Sequence, residues 1–208
     1  MRSMTTALPS LLLLAAGLAP GADPAPDPHW ELRIVGDALP GFGSGVAGAD
    51  SRISDGGELL AVYHAALPAQ PFGFILGAGI FDDSRRSRVD NPDNIATYDA
   101  QGIVLMAGVT DALTARWSLE ALLEVRGGAG RLTAKQTFAN GDFEVLGDYG
   151  RYLAGSALAG ASYRCTDRLV LGLLAGYDDF LGHSDFVAHA VTIRGDGLAV
   201  QLHLGFLF

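Results

Sequence analysis

Residues 116–126 read RWSLEALLEVR, and the fold follows from how this run divides. Trp117, Leu119, Ala121, Leu123 and Val125 fall on one parity. Arg116, Ser118, Glu120, Glu124 and Arg126 fall on the other, with Leu122 the exception. A helix would scatter those charges around its circumference, whereas a strand puts them on one face. The same period recurs in 198–208, where Leu198, Val200, Leu202, Leu204, Phe206 and Phe208 oppose Gln201 and His203. Leu169, Leu171, Leu173, Ala175 and Tyr177 make a third apolar row. Leu153, Gly155, Ala157, Ala159, Ala161 and Tyr163 make a fourth, opposite Ser156, Ser162 and Arg164.

Working outward, strands are expected near 30–42, 58–67, 72–81, 97–109, 116–126, 151–164, 168–178 and 197–208. Their connections are unequal. Pro68–Pro71 (PAQP), Thr110–Ala115 (TDALTA) and Cys165–Asp167 (CTD) are tight, while 43–57, 82–96, 127–150 and 179–196 are long, polar and rich in Gly and Asp. Eight antiparallel strands with turns at one end and loops at the other match an up-and-down transmembrane β-barrel, an all-β fold. Each strand is long enough to cross a bilayer at a steep tilt. Aromatics are expected in two girdles: Trp30, Phe72, Trp117, Tyr163, Phe206 and Phe208 at one end, Phe81, Tyr98, Tyr177 and Phe180 at the other. A soluble calycin-type barrel around a small apolar ligand would use the same strands with the apolar rows turned inward.

The N-terminus reads as an export signal. Arg2 supplies a positive start and Leu8–Ala19 (LPSLLLLAAGLA) an apolar run too short to span a bilayer, with small residues behind it. The expected organisation is a signal peptide over 1–22, a Pro- and Asp-rich lead-in over 23–29, and a barrel over 30–208. The 208 residues carry a net charge of −9 with Lys135 the one lysine, which argues against a sequence-independent nucleic-acid binder. Cys165, the single cysteine, excludes an intramolecular disulfide framework and a multi-cysteine metal site. No cofactor or metal motif stands out, and no oligomeric state is fixed.

The hairpins ASYRCTDRLVLGLLAGY (161–177) and GVTDALTARWSLEAL (108–122), the signal and the terminal LAVQLHLGFLF (198–208) resemble small bacterial outer-membrane β-barrel proteins of the OmpA, OmpX and OmpW kind. The resemblance implies a bacterial outer-membrane location and outer-membrane lipid and lipopolysaccharide as surroundings. It also implies a final strand, with Phe206 and Phe208, read by the outer-membrane assembly machinery. The function expected is non-enzymatic, structural or surface-interacting, with limited small-solute permeation as a secondary role. The contrasting reading is a lipid A-modifying enzyme.

With the apolar rows toward lipid, His64, Asp99, Gln101, Arg116, Glu120, Glu124, Arg126, Gln201 and His203 are expected in the lumen, where the opposite charges at 116/120 and 124/126 can pair across strands and satisfy one another. His183 and Ser184, with Asp178, Asp179, Asp185 and His189, form the one cluster with the residue types of a base-activated serine, and loop polarity explains it more simply. Asp82-Asp83 and Asp178-Asp179 are hard oxygen donors without calcium-loop spacing. Arg85, Arg86 and Arg88 in the expected loop 82–96 are candidates for bidentate contact with lipopolysaccharide phosphates.

Overall fold

The computed structural model describes residues 28–39, 50–51, 54–67, 72–88, 95–138, 141–186 and 189–208. The expected signal peptide, the lead-in up to residue 27 and the 68–71 turn lie outside them. Ten strands are described: β1 (His29–Leu39), β2 (Asp50–Ser51), β3 (Ser54–Ala66), β4 (Phe72–Arg88), β5 (Ile95–Ala112), β6 (Trp117–Phe138), β7 (Gly141–Leu146), β8 (Asp148–Arg164), β9 (Leu169–Phe186) and β10 (His189–Leu207). Eight of them, β1, β3, β4, β5, β6, β8, β9 and β10, pair antiparallel in that order, and β10 returns to β1 to close the ring. The two-residue β2 lies against β4, and β7 folds back on β6. At the seam the Phe208 amide donates to the Trp30 carbonyl at 2.9 Å.

Two tight turns repeat one device. Thr114 Oγ1 accepts from the amides of Arg116 (3.2 Å) and Trp117 (3.0 Å), and Thr166 Oγ1 accepts from Arg168 (3.2 Å) and Leu169 (3.1 Å). A threonine hydroxyl supplies the acceptor that the reversed backbone lacks.

Along the turn-side half of each strand the apolar parity faces out. Leu198 is 70% exposed, Leu202 61% and Ile80 61%, and Leu32, Ile34, Phe74, Leu76, Ile103, Leu105, Leu123, Val125, Leu153, Leu171 and Leu173 are exposed beside them. That orientation rules out the calycin-type alternative for this half, because so continuous an apolar exterior is stable in hydrocarbon and costly in water. From Leu198 to Phe208 the row runs eleven residues, the length needed to cross at a steep tilt. Trp30 packs against Tyr63 and Trp117 against Tyr163 at the turn end, with Phe72, Phe206 and Phe208 exposed at the same level.

The loop-side half departs from expectation. Stretches read as loops are largely strand: β4 runs on to Arg88, β6 to Phe138 and β9 to Phe186, while β5 starts at Ile95 and β10 at His189. Alternation never stops there; it inverts. Asp82, Arg86, Thr97, Asp99, Gln101, Arg131, Arg151, Thr192, Arg194 and Asp196 point outward, and Phe81, Ala96, Tyr98, Tyr152, Phe180 and Ile193 point inward. So the second aromatic girdle is corrected. Phe81, Tyr98 and Phe180 are buried in the interior with Tyr152, at ring separations of 5.4–6.3 Å, and of the four expected only Tyr177 faces out. Polar residues outside and aromatics inside are what a barrel wall needs once it leaves lipid for water.

Candidate functional site

Among the described residues chemistry-bearing side chains gather in the interior, and strand parity puts them there. On β1 the odd positions Glu31, Arg33 and Asp37 are buried while Trp30, Leu32 and Ile34 face out. On β6 Glu120, Leu122, Glu124 and Arg126 are buried in sequence, and on β10 Gln201 and His203 are. His64 on β3 also points in.

Near the turn end one arginine organises a polar layer. Arg33 grips Glu31 with two bonds, Nε to Oε1 at 2.9 Å and Nη2 to Oε2 at 3.1 Å, and its Nη1 reaches Glu120 Oε2 at 3.0 Å across the barrel. His64 Nε2 lies 2.7 Å from Glu31 Oε2, and its ring stacks on His29 at 4.5 Å. Ser162 donates to Glu120 and stands 3.4 Å from His203 Nε2. Below this layer a cavity of about 390 Å³ opens at the turn end, lined by His29, Glu31, His64, Arg116, Glu120 and Arg164 among others.

Further along, at the edge of the apolar belt, two arginines hold a second layer. Arg126 donates to Asp178, to Ser156 Oγ at 2.7 Å and to Asp83 Oδ2 at 3.3 Å. Arg85 donates to Asp178 Oδ2 at 2.8 Å and to the Tyr152 hydroxyl at 2.7 Å, and that hydroxyl donates to Asp83 Oδ2 at 2.7 Å. The Arg85 guanidinium lies 3.9 Å from the centre of the Phe180 ring, so the charged layer continues directly into the aromatic one. Above it Tyr98 fills the space between Gly130 and Gly182; a Cβ on either glycine would come within about 2.6 Å of its ring or hydroxyl, so both positions need the bare backbone. An eight-stranded barrel is narrow enough for side chains to fill, and here they do.

Several expected sites are corrected. Asp99 and Gln101 share the parity of Ile103 and Leu105 and so lie outside; Asp99 accepts from Ser84 Oγ at 2.8 Å on the outer surface. Arg116 belongs to the turn before β6, is exposed, and donates to the Tyr163 hydroxyl at 3.3 Å. Of the charges at 116/120 and 124/126, three find partners inside the barrel on other strands and Arg116 does not: Glu120 meets Arg33, Arg126 meets Asp83 and Asp178, and Glu124 accepts from Gln201 Nε2 at 2.7 Å. Arg85 is fully buried in the interior and cannot touch a lipid phosphate, because it shares the inward parity of Phe81 and Asp83. Arg86, its neighbour, faces out, and the Arg88 side chain is outside the described residues. Phe206 and Phe208 are outward and exposed.

The catalytic cluster is taken apart by the same parity. Ser184 is buried, donating to the Asp148 carbonyl at 3.0 Å and accepting from the Leu132 amide at 3.1 Å, while His183 faces outward with its Nδ1 2.9 Å from Thr192 Oγ1. Of the paired aspartates, Asp83 and Asp178 are inside and held by arginine, whereas Asp82 is exposed and Asp179 pairs with Arg194 at 2.9 Å on the exterior. Unforeseen as interior residues were Glu31, Arg33, Asp37, Glu58, Asp83, Tyr152 and Asp178, whereas Ser156 and Ser162 are buried as their place opposite the apolar row of β8 requires. The signal for the β1 group was present in HWELRIVGDAL (29–39), which alternates as cleanly as 116–126.

No family model matches the chain, and no curated protein does. Among solved structures it is similar to Ail, the attachment invasion locus protein of Yersinia pestis, at 15% identity and a TM-score of 0.40, over 86% of this chain and 99% of that one. The same protein in complex with the heparin analogue sucrose octasulfate gives 14% identity and 0.40, with the same coverage. Neisserial surface protein A gives 14% and 0.37, over 86% and 95%.

Proposed function

We propose that this chain is a non-enzymatic, non-conducting barrel of a bacterial outer membrane, serving a structural or surface-presenting role. The observation that carries the reading is the filled cross-section at the outer edge of the belt, where Arg85, Arg126, Asp83, Asp178 and Tyr152 interlock beneath the Phe81, Tyr98 and Phe180 rings. A solute entering the turn-end cavity meets first the Arg33–Glu31–Glu120 crosslink and then this layer. The separation of His183 from Ser184 supports a non-catalytic role. Refolded into lipid, the barrel should run as a faster band when unboiled and show no discrete conductance in planar bilayers. Reproducible single-channel steps from the wild-type barrel overturn the closed reading, and altered lipid A in expressing cells overturns the non-enzymatic one.

Surface contact in this reading belongs to the extension beyond the belt. Arg86, Arg131 and Arg151 face outward there on β4, β6 and β8, with the Arg131 guanidinium 5.1 Å from the Tyr149 ring. Guanidinium groups at the lipid–water boundary suit the phosphates of lipopolysaccharide. Adding lipopolysaccharide to the lipid should raise the temperature at which the fast band is lost, and less so for Arg131→Gln with Arg151→Gln; equal shifts in both proteins remove the contact. The exposed Phe206 and Phe208 on the closing strand suit recognition by the assembly machinery.

A further inference from the structure

The turn-end mouth of the barrel sets two arginines against each other. Arg116 and Arg164 close the turn end of the β6–β8 pair: Trp117 faces Tyr163 in register, and the Arg164 amide donates to the Arg116 carbonyl at 2.8 Å. Both follow the inward parity of Ser118, Glu120 and Ser162, and both line the cavity of about 390 Å³. Like charges directly opposite on one face of a strand pair repel. Among the described residues no carboxylate stands within ion-pair distance of either. Asp167 acts on Arg116 only at longer range, and the Tyr163 hydroxyl that accepts from Arg116 Nη1 brings no negative charge. The half-buried Arg164 guanidinium has no hydrogen-bond partner among those residues.

The floor of the same cavity has the opposite sign. Glu31 and Glu120 line it, are almost fully buried, and share one arginine, Arg33. Among the described residues each Glu120 oxygen accepts a single bond, Oε1 from Ser162 and Oε2 from Arg33, so lone pairs remain for a further donor. Between floor and rim the wall includes Ala65, Ala66, Ala112, Val170 and Leu207. Glu120 faces Gly160 across β6 and β8. From Gly160 to Arg164 is roughly 13 Å of strand at about 3.3 Å per residue, part of which the floor and rim side chains themselves occupy.

We propose that the turn-end cavity binds a small zwitterion of the amino-acid or dipeptide class, its ammonium toward Glu120 and Glu31 and its carboxylate between Arg116 and Arg164. The volume falls in the range of small-molecule pockets, and an apolar wall with a few convergent polar groups is their usual lining. A carboxylate between two guanidiniums receives charge-assisted bonds and removes the repulsion that the opposed arginines otherwise carry. An ammonium donates to the spare lone pairs of the floor and offsets its excess charge. A plain anion satisfies the rim and meets carboxylates below; a plain cation does the reverse. The Arg33 crosslink closes the cavity above, so the site is a blind pocket, in keeping with a closed barrel. That the periplasm supplies the ligand rests on the outer-membrane reading; the pocket itself does not.

Calorimetric titration of the refolded barrel in detergent with L-alanyl-L-alanine tests this, and the fast unboiled band certifies folding independently. Saturable binding of one dipeptide per barrel is expected. Binding should be about tenfold or more weaker for the N-acetyl dipeptide, which lacks the ammonium, and for the dipeptide amide, which lacks the carboxylate. Arg164→Gln should weaken the dipeptide by the same factor and bind it and its amide alike, a loss of discrimination that mere loosening of the mouth does not produce. Arg194→Gln on the exterior should change nothing. Should Arg164→Gln fail to fold, Arg116→Gln serves, with the same loss of discrimination expected. No saturable binding to the folded wild type overturns the proposal. Equal binding of the three peptides, or undiminished discrimination in Arg164→Gln, overturns it too.

Discussion

The same strands obey opposite rules in their two halves. From Tyr177 back to Leu169, β9 turns Leu, Ala and Tyr outward; from Asp179 to Asp185 it turns Asp, Leu, His and Asp outward and puts Phe180 inside. β10 repeats this, with Leu198, Leu202 and Phe206 exposed in one half and Thr192, Arg194 and Asp196 in the other, where Ile193 is buried. The hydrogen-bonded wall is continuous through the change, with β9 and β10 in unbroken register from Phe206 to His189. What the contrast teaches is that a barrel's backbone is indifferent to its solvent, and that the polarity of the outward-facing side chains states where lipid ends.

The sharpest way to break the contrast is at the layer that joins the halves. Arg126→Met should leave Asp83 and Asp178 short of a partner in the interior and destabilise the barrel by about 3–5 kcal/mol, seen as loss of the fast unboiled band at much lower urea. Smaller, and confined to one half, is the effect of a new charge on the outside of β10. Leu202→Arg in the belt should cost about 2–4 kcal/mol in a urea titration from liposomes, whereas Thr192→Arg in the extension should stay within about 0.5 kcal/mol of wild type. Equal costs at the two positions would mean that the belt does not end where the polarity inverts. The finest probe is a single methyl group. Ile193→Val in the buried extension should lower local stability by about 1 kcal/mol, read by amide exchange in β9 and β10. Ile34→Val, facing lipid that can refill the gap, should change exchange little, and a matching loss there would show that packing rather than solvent sets both halves.

Parity made the belt legible in advance. RWSLEALLEVR and the last eleven residues state both the strand and its buried face, and Glu120, Glu124, Arg126, Gln201 and His203 lie inside as that rule requires. Polarity misleads where parity does not. Asp99 and Gln101 are as polar as lumen residues, yet they alternate with Val104 and Met106, which point in. The run FDDSRRSR (81–88) has the composition of a loop because its outward residues are polar, and that composition hides the inward parity of Arg85. The pairing of Arg33 with Glu120, 87 positions apart, depends on how far around the ring β1 and β6 stand, and no local pattern carries that.

One feature bears on how such a chain can change its length. Among the described strand pairs of the barrel the register shifts once, between Tyr149 and Tyr152 on β8, and everywhere else it is unbroken. Because successive residues face opposite sides, inserting one residue in a strand would exchange lipid-facing leucines for buried glutamates along all that follows up to the next turn. Inserting two would only lengthen the stave. The wall therefore counts in pairs, and odd insertions are tolerable only in the connections or beside the bulge at Tyr149, where an extra residue is already absorbed.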